Sequence, residues 1–304
     1  MIDDALETSR QGIRAVKLSL VILGLTALLQ IAVVIISSSV ALLADTVHNL
    51  SDALTAVPLW IAFVIGRRPP SRRYTYGFGR LEDVAGLFIV VMIAISALLA
   101  GVESIRRLLD PHPVTNLSWV AVAGLIGFAG NEIVAGYRIR VGRRIGSAAL
   151  VADGVHARTD GFTSLAVVLG ALGLWLGFPL ADPIVGLLIS TAIVVLLIGT
   201  SRDIGRRLLD GVDPALVMKA ELEISGVPGI DTVDHLRMRW VGHRLVVEAT
   251  VGSDPTMPVG EFHQLEHRAA ERLRGRLPRV QAVRLTPSAH PATAHRSTDG
   301  DNHA

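Results

Sequence analysis

Six stretches of this chain are apolar for long enough to cross a bilayer as helices: residues 14–36, 39–66, 81–109, 116–141, 147–176 and 183–200. A spanning helix needs about 20 predominantly apolar residues, because hydrocarbon offers no water to backbone N–H and C=O groups. The expectation is therefore an α-helical membrane protein with six transmembrane helices. Composition enters in support: half of the chain is hydrophobic and 18% is charged, against about a quarter in soluble domains. Those values exclude a disordered chain and an ordinary soluble enzyme. The chain has no cysteine, which removes disulfides, thiolate metal sites, Fe–S clusters and cysteine nucleophiles from consideration.

Charge orients the bundle. Arg10, Arg14 and Lys17 lie at the first run, and Arg67, Arg68, Arg72 and Arg73 between the second and third. Arg138, Arg140, Arg143 and Arg144 read as the connection between runs four and five, and Arg202, Arg206 and Arg207 follow run six. The opposite connections, at 37–39, 110–115 and 177–182, carry almost no basic residues, Arg106 and Arg107 being the exception. Basic loops stay on the cytoplasmic side, so both termini are expected in the cytoplasm, with the chain spanning the cell membrane several times. Asp3, Asp4 and Glu7 before the first run do not fit a cleaved signal peptide. The predicted organisation is a cytoplasmic segment over 1–13, a transmembrane domain over 14–204, a cytoplasmic domain over 205–290 and a disordered tail over 291–304.

Two of the apolar runs carry the same polar stripe. The second reads Ser39-Val-Ala-Leu-Leu-Ala-Asp45-Thr-Val-His48-Asn49-Leu-Ser-Asp52-Ala-Leu-Thr55. The fifth reads Ser147-Ala-Ala-Leu-Val-Ala-Asp153-Gly-Val-His156-Ala-Arg-Thr-Asp160-Gly-Phe-Thr163. Both are D-x-x-H-x-x-x-D, and steps of three and four place the side chains on one helical face. Charged groups in hydrocarbon cost several kcal/mol each, so such stripes are expected to face the bundle interior and to be paired or coordinated.

Facing stripes can bring His48, Asp52, His156 and Asp160 to one point. Two imidazoles and two carboxylates suit a tetrahedral divalent ion, and Zn²⁺ is the natural occupant. A soft Cu(I) site lacks its sulfur ligands here, and two histidines do not suit an all-oxygen Mg²⁺ or Ca²⁺ cage. Ligand type alone leaves Cd²⁺, Co²⁺, Ni²⁺ and Fe²⁺ open. Asp45 and Asp153, one turn before the histidines, can orient a ligand, line the path or ligate directly; Asn49 can orient a ligand or pack as an amide. Packing polar groups are the plain alternative for any one of these residues, but six matched residues at a duplicated spacing argue against it.

The two stripes, the segment Tyr76-Gly-Phe78-Gly-Arg80-Leu-Glu82 and the soluble segment after run six together resemble the cation diffusion facilitator family of dimeric metal antiporters. The resemblance spans roughly residues 10–287. It implies that His48, Asp52, His156 and Asp160 hold the transported metal, that protons move the other way, and that the protein is a homodimer. It also implies a charge pair between protomers at Arg80 and Asp210. Many members carry a histidine where this chain has Phe78, and residues 67–80 hold no histidine or acid, so no metal site is expected on that loop. The residues support exchange independently. A ligating imidazole must be neutral and a ligating carboxylate ionised, and histidine titrates near pH 6.5, so metal and protons compete for the same lone pairs.

After the bundle, helical periodicity over Pro214–Ile224 precedes strands over Thr232–Trp240 and Arg244–Val251 around the turn Val241-Gly242-His243. A charged amphipathic helix, Glu261–Leu277, and a strand, Val280–Thr286, follow. The order α-β-β-α-β resembles the metallochaperone-like cytoplasmic domain of the same family, which dimerises. Asp234, His235, Glu248, His263 and His290 are weak candidates for a further metal site, and His263 and His267 share a helix face; solvated histidines are the favoured reading. An intramembrane metalloenzyme needs an open coordination position and a general base, and no H-E-x-x-H segment is present. No enzymatic activity is expected. The arginines at 268, 272, 274, 276 and 279 alternate with acids and lack an aromatic stacking platform, so no nucleic acid partner is expected either.

Overall fold

The computed structural model describes residues 2–37, 56–109, 117–178 and 180–288. Helix α1 spans Ile2–Ser37, α2 Ala56–Gly66, α3 Arg80–Leu109, α4 Leu117–Ile145, α5 Ala148–Trp175 and α6 Ala181–Leu208. They form one unit, residues 1–209 with the turn Val241–His243. A second unit contains α7 (Pro214–Ser225), β1 (Thr232–Val241), β2 (Arg244–Gly252), α8 (Val259–Arg276) and β3 (Val280–Pro287).

Among the described residues, four helical stretches are long and apolar enough to cross a membrane: Glu7–Val33, Arg80–Arg106, Leu117–Ile145 and Pro183–Leu208. Six were expected. Most of the second run falls in 38–55, outside the described residues, and its described remainder is the short apolar helix α2. The fifth run is a helix of 28 residues, but Asp153, Arg158 and Asp160 interrupt its apolar surface. The expected turn at 110–115, the tail at 291–304 and His290 also lie outside the described residues.

The helical unit is apolar on both sides of its packing surface. Inside, Val16, Leu59, Phe63, Ile89, Ile93, Ile145, Leu150 and Ile193 form one buried cluster. Outside, Leu28, Leu98, Leu188 and Val195 are 63%, 66%, 66% and 65% exposed. Water would penalise that surface at about 25 cal/mol per Å², whereas lipid does not.

Two boundaries differ from the sequence reading for one reason. Run four was expected to end at 141, within the arginine cluster of 138–144, and run six at 200, just before Arg202, yet α4 continues to Ile145 and α6 to Leu208. Arginines end an apolar window but not a helix, because Arg is a good helix former and its charge is favourable near a helix C-terminus. Arg138 is therefore a helical residue of α4 rather than part of a loop, and it is buried.

Helices α4 and α5 form a hairpin. Gly146, at φ 69°, takes the left-handed conformation at the junction, and the Ser147 N–H donates to the Gly142 carbonyl at 2.9 Å. The Ser147 hydroxyl then caps α5 by accepting from the Leu150 N–H at 3.0 Å. The two helices run antiparallel at close range. A Cβ on Gly154 would stand 3.0 Å from the Ile139 nitrogen and 3.1 Å from the Ala135 carbonyl oxygen, so glycine sets this approach.

Within the same unit, the Gly242 N–H donates to Asp83 at 3.3 Å, and Nδ1 of buried His243 is 2.8 Å from Oε2 of Glu82. Sequence reading took His243 for a turn residue only.

The second unit has the expected α-β-β-α-β order. Its sheet runs β1-β2-β3, with β2 and β3 parallel in the register Val247↔Val283 and Ala249↔Leu285. A two-residue turn joins β1 to β2, as only antiparallel neighbours allow, whereas the parallel return to β3 needs the crossover α8. Leu245, Val247 and Val251 pack with Leu265 and Leu273 of α8 and Ile224 of α7 in its core.

Candidate metal site

The described half of the duplicated stripe lies on α5. Asp153 and His156 are buried, as are Thr159 and Asp160. The side chains of His156 and Asp160 are 1% and 10% exposed, and Nδ1 of His156 lies 3.8 Å from Oδ1 of Asp160. A helical turn accounts for this: residues four apart stack one above the other. His48 and Asp52, the expected partner ligands, lie outside the described residues, as do Asp45 and Asn49. Among the described residues no group of three or more His, Asp or Glu comes together as a metal cage. The described residues thus bring one imidazole and one carboxylate together on α5.

Asp153, one turn before His156, is held differently. Its Oδ2 is 3.0 Å from Nη1 of Arg138 on α4, with the two side chains 0% and 2% exposed. Five residues further along α5, Arg158 makes a two-pronged pair with Glu132 of α4: Nε donates to Oε2 at 3.0 Å and Nη2 to Oε1 at 2.5 Å. Each helix gives one acid and one arginine, and the two pairs bracket His156 along α5. The sequence contained a signal for this. Arg138 and Asp153 stand eight residues before and seven after Gly146; Glu132 and Arg158 stand fourteen before and twelve after. Opposite charges nearly equidistant from a hairpin turn face each other across antiparallel helices.

The remaining expected residues sit apart. Arg80, at the start of α3, donates to the Arg207 carbonyl at 3.2 Å and lies 3.7 Å from Asp83. Asp210 follows α6 with φ 58°. Phe78 packs on Tyr74, ring centroids 4.7 Å apart.

In the second unit, Asp234 accepts from the Thr232 hydroxyl at 2.8 Å, which holds its carboxyl below the ordinary range. Glu248 lies 3.5 Å from Arg239, and His263 is solvent-exposed 3.6 Å from Glu266. His235 is exposed too. These residues are not brought together.

Comparison with known proteins adds the following. The family profile described as "Cation efflux transmembrane domain" matches residues 16–209, and "Cation efflux protein, cytoplasmic domain" matches residues 212–283. A "Probable cation efflux system protein" of Mycobacterium tuberculosis is 57% identical over 291 residues, covering 96% of this chain and 87% of its own length. The manganese efflux system protein MneS of Bacillus subtilis is 23% identical over 239 residues, covering 78% of this chain and 81% of its own. A solved structure of MamM-CTD is 25% identical, with a TM-score of 0.24, covering 25% of this chain and 96% of that one.

Proposed function

We propose that this chain, which belongs to the cation efflux family, exports Zn²⁺ across the cell membrane in exchange for protons, at a tetrahedral site of His48, Asp52, His156 and Asp160. As a cation efflux protein it is a transporter and not an enzyme. The observation that carries the site is the His156–Asp160 pair, buried at 3.8 Å spacing inside the helical unit. The sequence of run two repeats that stripe residue for residue, which supplies the second imidazole and second carboxylate.

The exchange follows from the donors. Zn²⁺ binds His48 and His156 only as neutral imidazoles and Asp52 and Asp160 only as carboxylates. Zn²⁺ arriving from the cytoplasm therefore releases protons, and protons arriving from the far side release Zn²⁺. The ordinary pKa of an imidazole lies near neutrality, so protons and metal compete for this type of ligand at cellular pH. Alternate opening of the bundle converts this competition into antiport.

The same reading places both termini in the cytoplasm and pairs two copies of the chain, with Arg80 of one facing Asp210 of the other. The cytoplasmic domain contributes to that dimer. MneS is named for manganese, so Mn²⁺ joins Cd²⁺, Co²⁺, Ni²⁺ and Fe²⁺ as a metal to be compared with Zn²⁺.

The test is metal uptake into proteoliposomes under an imposed pH gradient, with the parent, His48→Ala and Asp160→Ala. Zn²⁺ uptake that follows the gradient in the parent and vanishes in both variants, while the dimer persists in detergent, is expected. Unchanged uptake in both variants sinks the ligand assignment. Uptake indifferent to the pH gradient sinks proton exchange.

A further inference from the structure

We infer that Arg138 sets metal selectivity by keeping Asp153 out of the coordination sphere of the metal, so that α5 offers one imidazole and one carboxylate instead of one imidazole and two. This rests on the reading of His156 and Asp160 as ligands. Helices α4 and α5 together carry three acids: Glu132, Asp153 and Asp160. Two of them, Glu132 and Asp153, are each claimed by an arginine of the opposite helix. Asp160 lies beside His156.

Asp153 is the acid whose position makes that pairing matter. It is three residues before His156 on the same face, one turn from a bound metal, and its side chain is fully buried. A bare carboxylate there would be drawn to a divalent cation, because nothing aqueous competes for it. Arg138 is equally buried, and its guanidinium supplies the compensating charge at 3.0 Å. Nε and Nη2 of Arg138 and both carboxylate oxygens of Asp153 have no hydrogen-bond partner among the described residues, so what joins the two side chains is the opposite charge at 3.0 Å. Arginine suits this task, since its charge is not lost at any cellular pH.

The consequence is chemical. A third carboxylate oxygen raises the negative charge of the site and hardens it, favouring Mn²⁺ over Zn²⁺ and slowing release of either. Arg138 is thus a positioning residue that acts through Asp153 on what the site accepts.

The test compares four proteins in proteoliposomes, each assayed with Zn²⁺ and Mn²⁺ for KM and kcat: the parent, Arg138→Lys, Arg138→Gln, and Arg138→Gln combined with Asp153→Asn. In Arg138→Gln the KM for Mn²⁺ should fall about tenfold relative to that for Zn²⁺, with kcat reduced for both, a change of the size produced by residues behind metal ligands. Arg138→Lys, which keeps a cation opposite Asp153 without arginine's planar fork, should shift the ratio less than Arg138→Gln. The double variant, having no carboxylate to release, should return to the parental Mn²⁺/Zn²⁺ ratio.

An unchanged ratio in Arg138→Gln overturns the inference, and so does a double variant that keeps the shifted ratio. If Arg138→Gln does not assemble, the double variant decides alone. A Zn²⁺ KM within about tenfold of the parent supports an Asp153 that does not ligate, and any larger rise overturns it. A parent that moves no divalent metal sinks the transport reading itself, whereas a parent that transports normally with an indifferent Arg138→Gln sinks only this inference.

Discussion

Helices α5 and α8 carry the same local device with opposite surroundings. On α5, His156 and Asp160 are four residues apart and 3.8 Å from each other, with side chains 1% and 10% exposed. On α8, His267 and Glu271 are four residues apart and 3.6 Å from each other, with side chains 64% and 65% exposed. Spacing along a helix therefore does not distinguish a metal half-site from a solvated face. Burial does. In water the α8 pair is screened and surrounded by alternative partners; exposed pairs of this kind contribute between about 0 and 1 kcal/mol. In the buried interior the α5 pair has little solvent to turn to, which is what suits it to the proposed role of metal ligand.

The largest expected effect breaks that comparison at its centre. His156→Ala should abolish metal flux in proteoliposomes, because the proposed site would lose one of its four donors. His267→Ala should leave KM and kcat at the parental values. Equal losses from the two substitutions would show that burial is not what separates them.

A smaller effect sharpens the comparison through packing. In α5, a Cβ on Gly154 meets Ile139 Cγ1 at 2.7 Å and two fixed backbone atoms of α4 within 3.1 Å. In α8, a Cβ on Gly275 meets nothing within 4 Å. Gly154→Ala must push α4 and α5 apart, at about 1–3 kcal/mol for an overpacked interface. Gly275→Ala should stabilise its helix by up to about 1 kcal/mol. Thermal unfolding of the full chain in detergent should show a fall for the first and a rise or no change for the second. A fall of similar size in both would mean that the close approach of α4 to α5 is not what Gly154 protects.

The same contrast explains what could be read in advance. The second unit was legible to within about two residues per element, as with Thr232–Trp240 expected and Thr232–Val241 found. Its pattern is local: strands alternate, Gly242 turns the hairpin, and Pro214 opens α7 behind the Asp213 cap. The helical unit was legible as apolar runs, but their ends were drawn where the apolar composition gives out, and α6 runs eight residues beyond that point. The same rule counted Arg138 among loop cations. Its burial depends on Asp153, fifteen residues away across the hairpin, and no window along the sequence measures that. Glu132 and Arg158 were passed over for the same reason. The turn at Gly146 supplies the missing term, since it fixes which residues of α4 and α5 meet. The stripe Asp153, His156, Asp160 was visible because it repeats Asp45, His48, Asp52, a signal that needs no partner helix to be seen.

The smallest expected effect lies in the second unit and depends on pH. Glu223 of α7 accepts from Nε of Arg272 on α8 at 2.7 Å, and that bond holds its carboxyl below the ordinary value of 4.5. A carboxyl depressed by folding stabilises the native state at pH above its unfolded value. The contribution is lost as pH falls from about 4.5 through the lower folded value, where protonation breaks the pair. Glu223→Gln should therefore lower the stability of this unit near pH 7 by the small amount a solvent-screened pair contributes, and match the parent below the folded value, so that its acid limb is flatter by that same amount. Fluorescence of Trp240, buried in the core of this unit, follows the transition once Trp60, Trp119 and Trp175 are replaced by phenylalanine. Metal flux at neutral pH should not respond to Glu223→Gln at all. A variant that retained the parental acid limb would place the titrating groups elsewhere, with Asp234 and Asp254, both held low by threonine hydroxyls, the next to substitute.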